Sequence, residues 1–217
     1  MGTNTGTGTG VAREEAPAGA APRPGRWRWW QATAFGLAVN AVSGLMVGRR
    51  SQDRAFYEAM DLPPYAPPGW LFPPVWALNN ASTLWGNLRL LNRPAGLPER
   101  DRAALLAMQG ASWALFGTFG LVYFGKRSPI LAAVWTGADW VLTTATVALA
   151  AKNRQGGIAL SQATKWAWLT LATPVATYQA LHNPDPVFGT DPSVAGVGGP
   201  EPRAGATRAA GAESGVR

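Results

Sequence analysis

The sequence predicts an all-α membrane protein, a bundle of five transmembrane helices. Five apolar segments are long enough to cross a hydrocarbon core of about 30 Å, which takes roughly 20 helical residues. The connections between them are short, except at residues 49–69. No part of the chain shows the alternating segments of about ten residues that a membrane β-barrel requires.

The five predicted spans form one domain at residues 27–183. Tryptophans precede the first span and are typical of an anchor at the membrane interface. Pro73 and Pro74 open the second span, where a first helical turn tolerates their missing N–H groups. Pro174 is predicted to interrupt the fifth span. The spans lie at about residues 29–48, 70–91, 103–125, 130–151 and 160–182.

Two tails flank this domain, at residues 1–26 and 184–217. Both are rich in Gly, Ala, Pro and small polar residues, which bury too little apolar surface to offset the entropy of ordering. We therefore expect both tails to be disordered.

The composition excludes several kinds of site. The chain has no cysteine and one histidine, His182, so thiolate or multi-histidine metal sites are not expected and no cofactor is required. The net charge of +7 comes from loops and tails between apolar runs, a pattern that favours a lipid bilayer over nucleic acid as the partner. Nine Lys and Arg residues on the N-terminal side against five on the other favour a cytoplasmic N-terminus.

Polar and aromatic residues recur on one face of each predicted span. Two interpretations stay open: the side chains hydrogen-bond between packed helices, or they line a ligand cavity with indole rings and amides. The stripes are Trp76, Asn80, Thr83 and Asn87 in the second span, Gln109 and Trp113 in the third, Trp135, Asp139 and Thr143 in the fourth, and Trp168, Ala172, Val175 and Gln179 in the fifth.

Asp139 is the one acidic residue deep inside a predicted span. An intramembrane carboxyl group indicates a proton or cation path, or else a polar contact between helices. Arg89 and Lys165 lie near span ends, where we expect their side chains to reach the lipid headgroups.

The stretch from Phe56 to Trp76 contains an aromatic pair, Phe56 and Tyr57, six prolines, and the run Trp70, Phe72, Pro74, Val75 and Trp76. This stretch resembles the TspO/MBR family of tryptophan-rich sensory proteins. The family pattern is an aromatic pair, a proline–aromatic–x–Pro–Pro run and then W-x-F/L-x-P-V-W at the start of the second helix. The matching residues here are Phe56, Tyr57, Pro63, Tyr65, Pro67, Pro68, Trp70, Phe72, Pro74, Val75 and Trp76. Further matches are Phe124, Gly125 and Pro129, and Trp168, Ala172 and Thr173 in the fifth span.

This resemblance implies a five-helix membrane protein, commonly a homodimer, that binds porphyrin or heme in a cavity under its first extramembrane loop. Trp76 and Trp168 match tryptophan positions of that cavity, and Ala172 matches a small-residue position associated with ligand affinity. Sterol binding is less expected, because no Lys or Arg follows Tyr178 within five residues. The chain also departs from the family at Asn79, Asn80, Phe116, Gly117 and Trp135.

The predicted function is a membrane receptor or carrier for a hydrophobic aromatic ligand, by resemblance a tetrapyrrole, with a role in its homeostasis, in stress sensing or in transport. One alternative is light-dependent porphyrin degradation with Trp76 and Trp168 as redox partners; another is a small transporter or structural protein that uses Asp139. The predicted ligand-binding residues are Tyr65, Trp70, Trp76, Asn80, Asn87, Trp113, Trp135, Asp139, Trp168 and Ala172.

Overall fold

The computed structural model describes Gly2, residues 26–45 and residues 50–192. Within these residues the chain is helical and has no β-strand. A 3₁₀ turn at Gly69–Leu71 leads into the third helix, and a π-helical turn at Leu121–Gly125 continues the fourth. The helices are α1 (Trp29–Leu45), α2 (Arg50–Glu58), α3 (Phe72–Leu91), α4 (Glu99–Gly120), α5 (Pro129–Lys152), α6 (Gly156–Ser161) and α7 (Ala163–His182).

The described residues form seven α-helices, so the predicted count of five transmembrane helices is not confirmed. The additional helix α2 lies in the long connection after the first span, and the fifth span divides at Gln162 into α6 and α7. Ser82 Oγ donates a hydrogen bond of 2.8 Å to the carbonyl of Ser161, an acceptor that a continuous helix would use itself. Beyond this break, α7 continues past Pro174 without the predicted interruption.

The remaining predicted spans agree with helices to within a few residues, as far as the structure describes them. Residues 46–48 of the first span lie outside the described residues. Within the described part of the chain, two helices are long and apolar enough to cross a membrane, α4 with its π turn and α5. Amides and charged groups such as Asn80, Arg89 and Lys165 lower the hydropathy of α3 and α7.

Helix α5 packs most extensively against α7 and α4. On the outer face of the α5–α7 pair, two tryptophans and two threonines form a closed set of hydrogen bonds. Trp140 Nε1 donates to Thr170 Oγ1 (3.0 Å), which donates to the carbonyl of Trp166 (2.8 Å). Trp166 Nε1 donates to Thr144 Oγ1 (3.1 Å), which donates to the carbonyl of Trp140 (2.8 Å). Both indole N–H groups are thus satisfied within the protein.

The inward faces of α5 and α7 follow the predicted stripes, but the face of α3 does not. Asp139 and Thr143 on α5 are buried, as are Trp168, Val175 and Gln179 on α7. On α3 the buried stripe is Asn79, Thr83, Gly86 and Leu90, so Thr83 alone of the predicted stripe is buried. Asn80 instead lies in a separate groove between α1 and α3, where its Nδ2 donates to Asn40 Oδ1 at 3.4 Å.

The two ends of the bundle differ in chemistry. One end is closed by an apolar cluster from α3, α4, α5 and α6, which consists of the fully buried Leu90, Leu105, Ala150 and Ile158. The other end, towards α2, is aromatic and includes the buried Tyr57 and Tyr123. The apolar cluster therefore seals the far end while aromatic rings surround the near end.

The proline-rich segment, residues 62–74, is held by two sets of hydrogen bonds. Tyr57 Oη donates to the carbonyl of Pro67 at 2.7 Å. At the start of the segment, the backbone N–H of Asp61 donates to Asn183 Oδ1 (2.7 Å), and Asn183 Nδ2 donates to the carbonyl of Asp61 (3.0 Å). The connection between α2 and α3 is thus fastened to the end of α7.

Residues 184–192, which the sequence analysis assigns to a disordered tail, make specific contacts in the structure. The buried Asp185 accepts hydrogen bonds from Ser128 Oγ (2.6 Å) and from the backbone N–H of Ile130 (2.9 Å) at the start of α5. The backbone N–H groups of Val187 and Phe188 also donate to this carboxylate. The folded region therefore extends beyond residue 183, and the other residues of the two predicted tails, Gly2 and Arg26 apart, lie outside the described residues.

Candidate ligand cavity

A cavity of about 510 Å³ lies among the near ends of α3, α4, α5 and α7, beneath α2 and the start of α3. This volume falls in the usual range of about 300–1,000 Å³ for small-molecule sites. Most of its lining side chains are aromatic or aliphatic, and its charged side chains lie in two places. We call these the rim, at α2, and the floor, on α5.

The wall between α3 and α4 is a stack of aromatic rings. Trp76 lines the cavity and lies 4.9 Å from Phe116, measured between ring centroids, at an interplanar angle of 44°. Phe116 meets Trp113 edge to face at 5.8 Å, and Trp113 meets Phe35 of α1 at 5.3 Å. Because each ring supports the next, Trp76 presents a fixed surface to the cavity.

The opposite wall brings together α7, α3 and α2. Trp168 packs edge to face on Phe72 at 5.3 Å, and Phe72 packs in the same way on Tyr57 at 5.3 Å. Ala172 lies one helical turn beyond Trp168 on the same face of α7 and also lines the cavity. Its small side chain leaves space that a larger residue would occupy.

Trp135 completes the aromatic lining from α5. Its Nε1 donates to Thr118 Oγ1 of α4 at 2.9 Å, which fixes the indole and satisfies its donor. A flat guest would therefore find four indole rings around it, those of Trp70, Trp76, Trp135 and Trp168.

The rim carries the residues of α2 that face the cavity. Asp53 and Arg54 both line it, and Arg54 Nε donates to Glu58 Oε1 at 2.7 Å. Burial raises the pKa of the Asp53 carboxyl group. Burial also raises the pKa of Tyr57, whose hydroxyl stays a donor to Pro67 at neutral pH.

The floor contains a buried ion pair. Lys165 Nζ lies 2.9 Å from Asp139 Oδ1, and each residue is only 4 % exposed. Ser112 Oγ donates to the same oxygen at 2.5 Å and accepts a hydrogen bond from Lys165. The predicted contact of Lys165 with headgroups is therefore wrong, because α7 begins inside the protein beside the buried Gln162. Asp139 is one half of a charge-neutral pair.

The structure brings six of the ten predicted ligand-binding residues to the cavity and leaves four elsewhere. Those that line it are Trp70, Trp76, Trp135, Asp139, Trp168 and Ala172. Trp113 lies behind Phe116, Tyr65 is 52 % exposed in a turn, and Asn80 and Asn87 lie outside the lining on α3. The ligand-binding roles of all ten stay predictions.

Sequence reasoning missed the cavity residues of α2 and α4. Tyr57, Phe116, Phe119 and Tyr123 line the cavity, although none was assigned to the site. On α4 and its π turn, Ser112, Phe116, Phe119 and Tyr123 follow the i, i+4, i+7, i+11 spacing of one helical face, a signal that was present in the sequence.

Comparison of the chain with protein-family models gives a match. A family model described as the TspO/MBR family matches residues 32–181, most of the chain and nearly all of the helical bundle. No curated protein matches the chain.

Proposed function

Since the chain belongs to the TspO/MBR family, we propose that it is an integral membrane receptor or carrier. Its ligand is a flat, hydrophobic aromatic molecule of the tetrapyrrole class, a porphyrin or heme, bound in the cavity. The biological role that follows is in tetrapyrrole homeostasis, stress sensing or transport.

The observation that carries this proposal is the set of indole rings around one cavity of sufficient size. Trp76, Trp135 and Trp168 come from three different helices and all line the same space of about 510 Å³. Flat, polarisable rings stack on flat aromatic guests, which gain both apolar burial and favourable ring contacts. The charged groups lie at the rim and the floor, so the middle of the cavity suits an apolar macrocycle.

Titration of the purified protein with protoporphyrin tests the proposal. We expect saturable quenching of tryptophan fluorescence, because several indoles lie at the cavity. Trp168→Phe should weaken binding, whereas Trp166→Phe, two residues away on the outer face, should leave it nearly unchanged, since Trp168 is 7 % exposed and Trp166 is 41 % exposed. A titration without saturable quenching contradicts the proposed function.

We also propose a topology of five spans, in which α1, α3, α4 with its π turn, α5 and the α6–α7 pair each cross the bilayer and the N-terminus is cytoplasmic. The absence of cysteine makes a direct test possible, because a single introduced thiol is the one reactive site. Ala95→Cys and Tyr65→Cys should react with an impermeant maleimide from opposite sides of sealed vesicles. Labelling from the same side contradicts the topology.

A homodimer is the proposed assembly, on the basis of family membership. Mass measurement of the detergent-solubilised protein, corrected for bound detergent, should give twice the mass of one chain. A monomer at all protein concentrations contradicts this part of the proposal.

A second candidate function is light-dependent oxidation of the bound porphyrin by oxygen. Trp76 and Trp168 both line the cavity, so both would touch the ligand, and an excited porphyrin can exchange electrons with an adjacent indole. Illumination of the complex in air should then consume porphyrin faster in the native protein than in Trp168→Phe at equal occupancy. Equal rates favour the receptor or carrier function.

A further inference from the structure

The floor of the cavity has an unusual distribution of hydrogen-bonding capacity. Asp139 of α5, Lys165 of α7 and Ser112 of α4 meet there, and both donors, the ammonium group and the hydroxyl, are directed to Asp139 Oδ1. Three helices thus contribute to holding one carboxylate oxygen. The other oxygen, Oδ2, accepts no hydrogen bond from any described residue.

Of the two charged side chains in this group, that of Asp139 reaches the cavity. It lines the cavity, whereas Lys165 and Ser112 lie behind it. Its Oδ2 is not fully enclosed by protein atoms, so this oxygen contacts the open space of the cavity. The Asp139 carboxylate therefore presents an acceptor to a ligand, while the donors Lys165 and Ser112 lie on the side of the carboxylate away from the cavity.

The ion pair fixes the chemical character of this acceptor. A carboxylate oxygen beside an ammonium group is an acceptor of hydrogen bonds and carries no donor. A carbonyl or carboxylate oxygen of a ligand would be repelled there, while an N–H, O–H or cationic group would replace the water that a carboxylate otherwise binds.

We propose that Asp139 Oδ2 is a recognition subsite for a hydrogen-bond donor on the buried edge of an aromatic ligand, and that Lys165 is the residue that positions it. The proposal rests on the proposed function, since it concerns a ligand in the same cavity. It goes further by selecting among flat aromatic molecules: those that direct an N–H or O–H group to the floor are preferred over those that direct a methyl group or an acceptor there. A porphyrin would meet this requirement with a protonated propionic acid group.

Two matched probes test this selection, carbazole and N-methylcarbazole, which differ in one N–H donor. Binding is measured by isothermal titration of the full chain in lipid nanodiscs, with protein-free nanodiscs subtracted. We expect the native protein to bind carbazole at least about tenfold more tightly, the scale of one hydrogen bond to a charged acceptor.

The double variant Asp139→Leu/Lys165→Met removes the acceptor and its partner together, so no unpaired charge is left buried. It should bind both probes equally. Trp140→Phe, the neighbouring position on the outer face of α5, serves as control and should keep the native preference, because its indole contacts Thr170 and not the cavity. If the apolar double variant does not fold, Asp139→Asn/Lys165→Gln keeps the volume and should reduce the preference.

The outcomes separate the two claims. Equal binding of both probes to the native protein, or a preference that persists without Asp139, overturns the subsite and leaves the aromatic cavity intact. If the native protein binds protoporphyrin but neither probe, the subsite is overturned and the proposed function stands. If it binds neither protoporphyrin nor the probes, both are overturned.

Discussion

The contact between Asp61 and Asn183 gives a quantitative prediction for the proline-rich segment. Asn183→Ala removes two hydrogen bonds that fasten the start of this segment to the end of α7, at 2.7 and 3.0 Å. The substitution also removes the hydrogen bond of 3.0 Å from Asn183 Nδ2 to the carbonyl of Gln179 in the terminal turn of α7. This carbonyl keeps a donor, because the backbone N–H of Asn183 still bonds to it. The substitution therefore acts on the cover of the cavity more than on its walls.

The expected magnitude follows from the two bonds. At about 1 kcal/mol each, the closed arrangement loses about 2 kcal/mol, which corresponds to roughly a 30-fold change in the ratio of closed to open segment. If the segment must move for the ligand to leave, the dissociation rate rises by up to that factor. The association rate should change less, as is usual for variants of one binding site.

A stopped-flow experiment measures this effect. Protein loaded with protoporphyrin is mixed with an excess of a soluble porphyrin scavenger, and the recovery of tryptophan fluorescence gives the dissociation rate. Thr177→Ala on the exposed side of α7 is the control, since its hydroxyl bonds only to the carbonyl of Thr173. Equal dissociation rates for Asn183→Ala and this control would refute the role of the segment as a cover.

Three further predictions concern the cover, the helix packing and the C-terminal segment. Replacing Pro67 and Pro68 with glycine should weaken protoporphyrin binding by about tenfold, because two flexible residues must then be ordered when the ligand binds. The amount of protein inserted in membranes should stay the same. Equal losses of binding and of inserted protein would show that the proline-rich segment serves folding alone. Gly86→Ala should lower the melting temperature, since a Cβ there overlaps Ser161, whereas Gly110→Ala, with open space around it, should not; a lower melting temperature for both would contradict this packing. Burial alone would raise the pKa of Asp185, but the hydrogen bonds to its carboxylate outweigh burial and lower this pKa. The stability that Asp185 contributes is therefore present above 3.8, the pKa of the unfolded chain, and is lost as the pH falls below that value. The melting temperature of Asp185→Asn should therefore lie below that of the native protein at pH 7, and the difference should shrink below pH 3.8; a difference independent of pH would contradict the ionised contact.

Helix positions could be predicted from the sequence because apolar length is a local property. The break at Gln162 was not predicted; the carbonyl of Ser161 beside it accepts a hydrogen bond from Ser82, which lies about 80 residues earlier in the chain. The same holds for Asp185, whose order depends on donors at the start of α5. Contacts distant in sequence leave no signal in composition.

The residues that line the cavity were predicted in part, and the errors in their assignment have two physical sources. On α5 and α7 the polar and aromatic residues share one face, so their spacing identified Trp135, Asp139 and Trp168 correctly as neighbours of the interior. On α3 the amides occupy two faces, and spacing alone could not distinguish Asn79, which is buried, from Asn80, which faces α1. Lys165 was misplaced because its distance from a predicted span end says nothing about whether that end lies in protein or in lipid.

The sealed far end of the bundle bears on the choice between receptor and carrier. A ligand that crossed the bundle lengthwise would have to pass the Asp139–Lys165 pair and then separate Leu90, Leu105, Ala150 and Ile158, all fully buried. Such a passage would break a charged contact and an apolar seal in turn, with no described opening beyond them. Under the proposed topology, a site that opens at the near end alone would respond to ligand on one side of the membrane, as a sensor does and a pore does not.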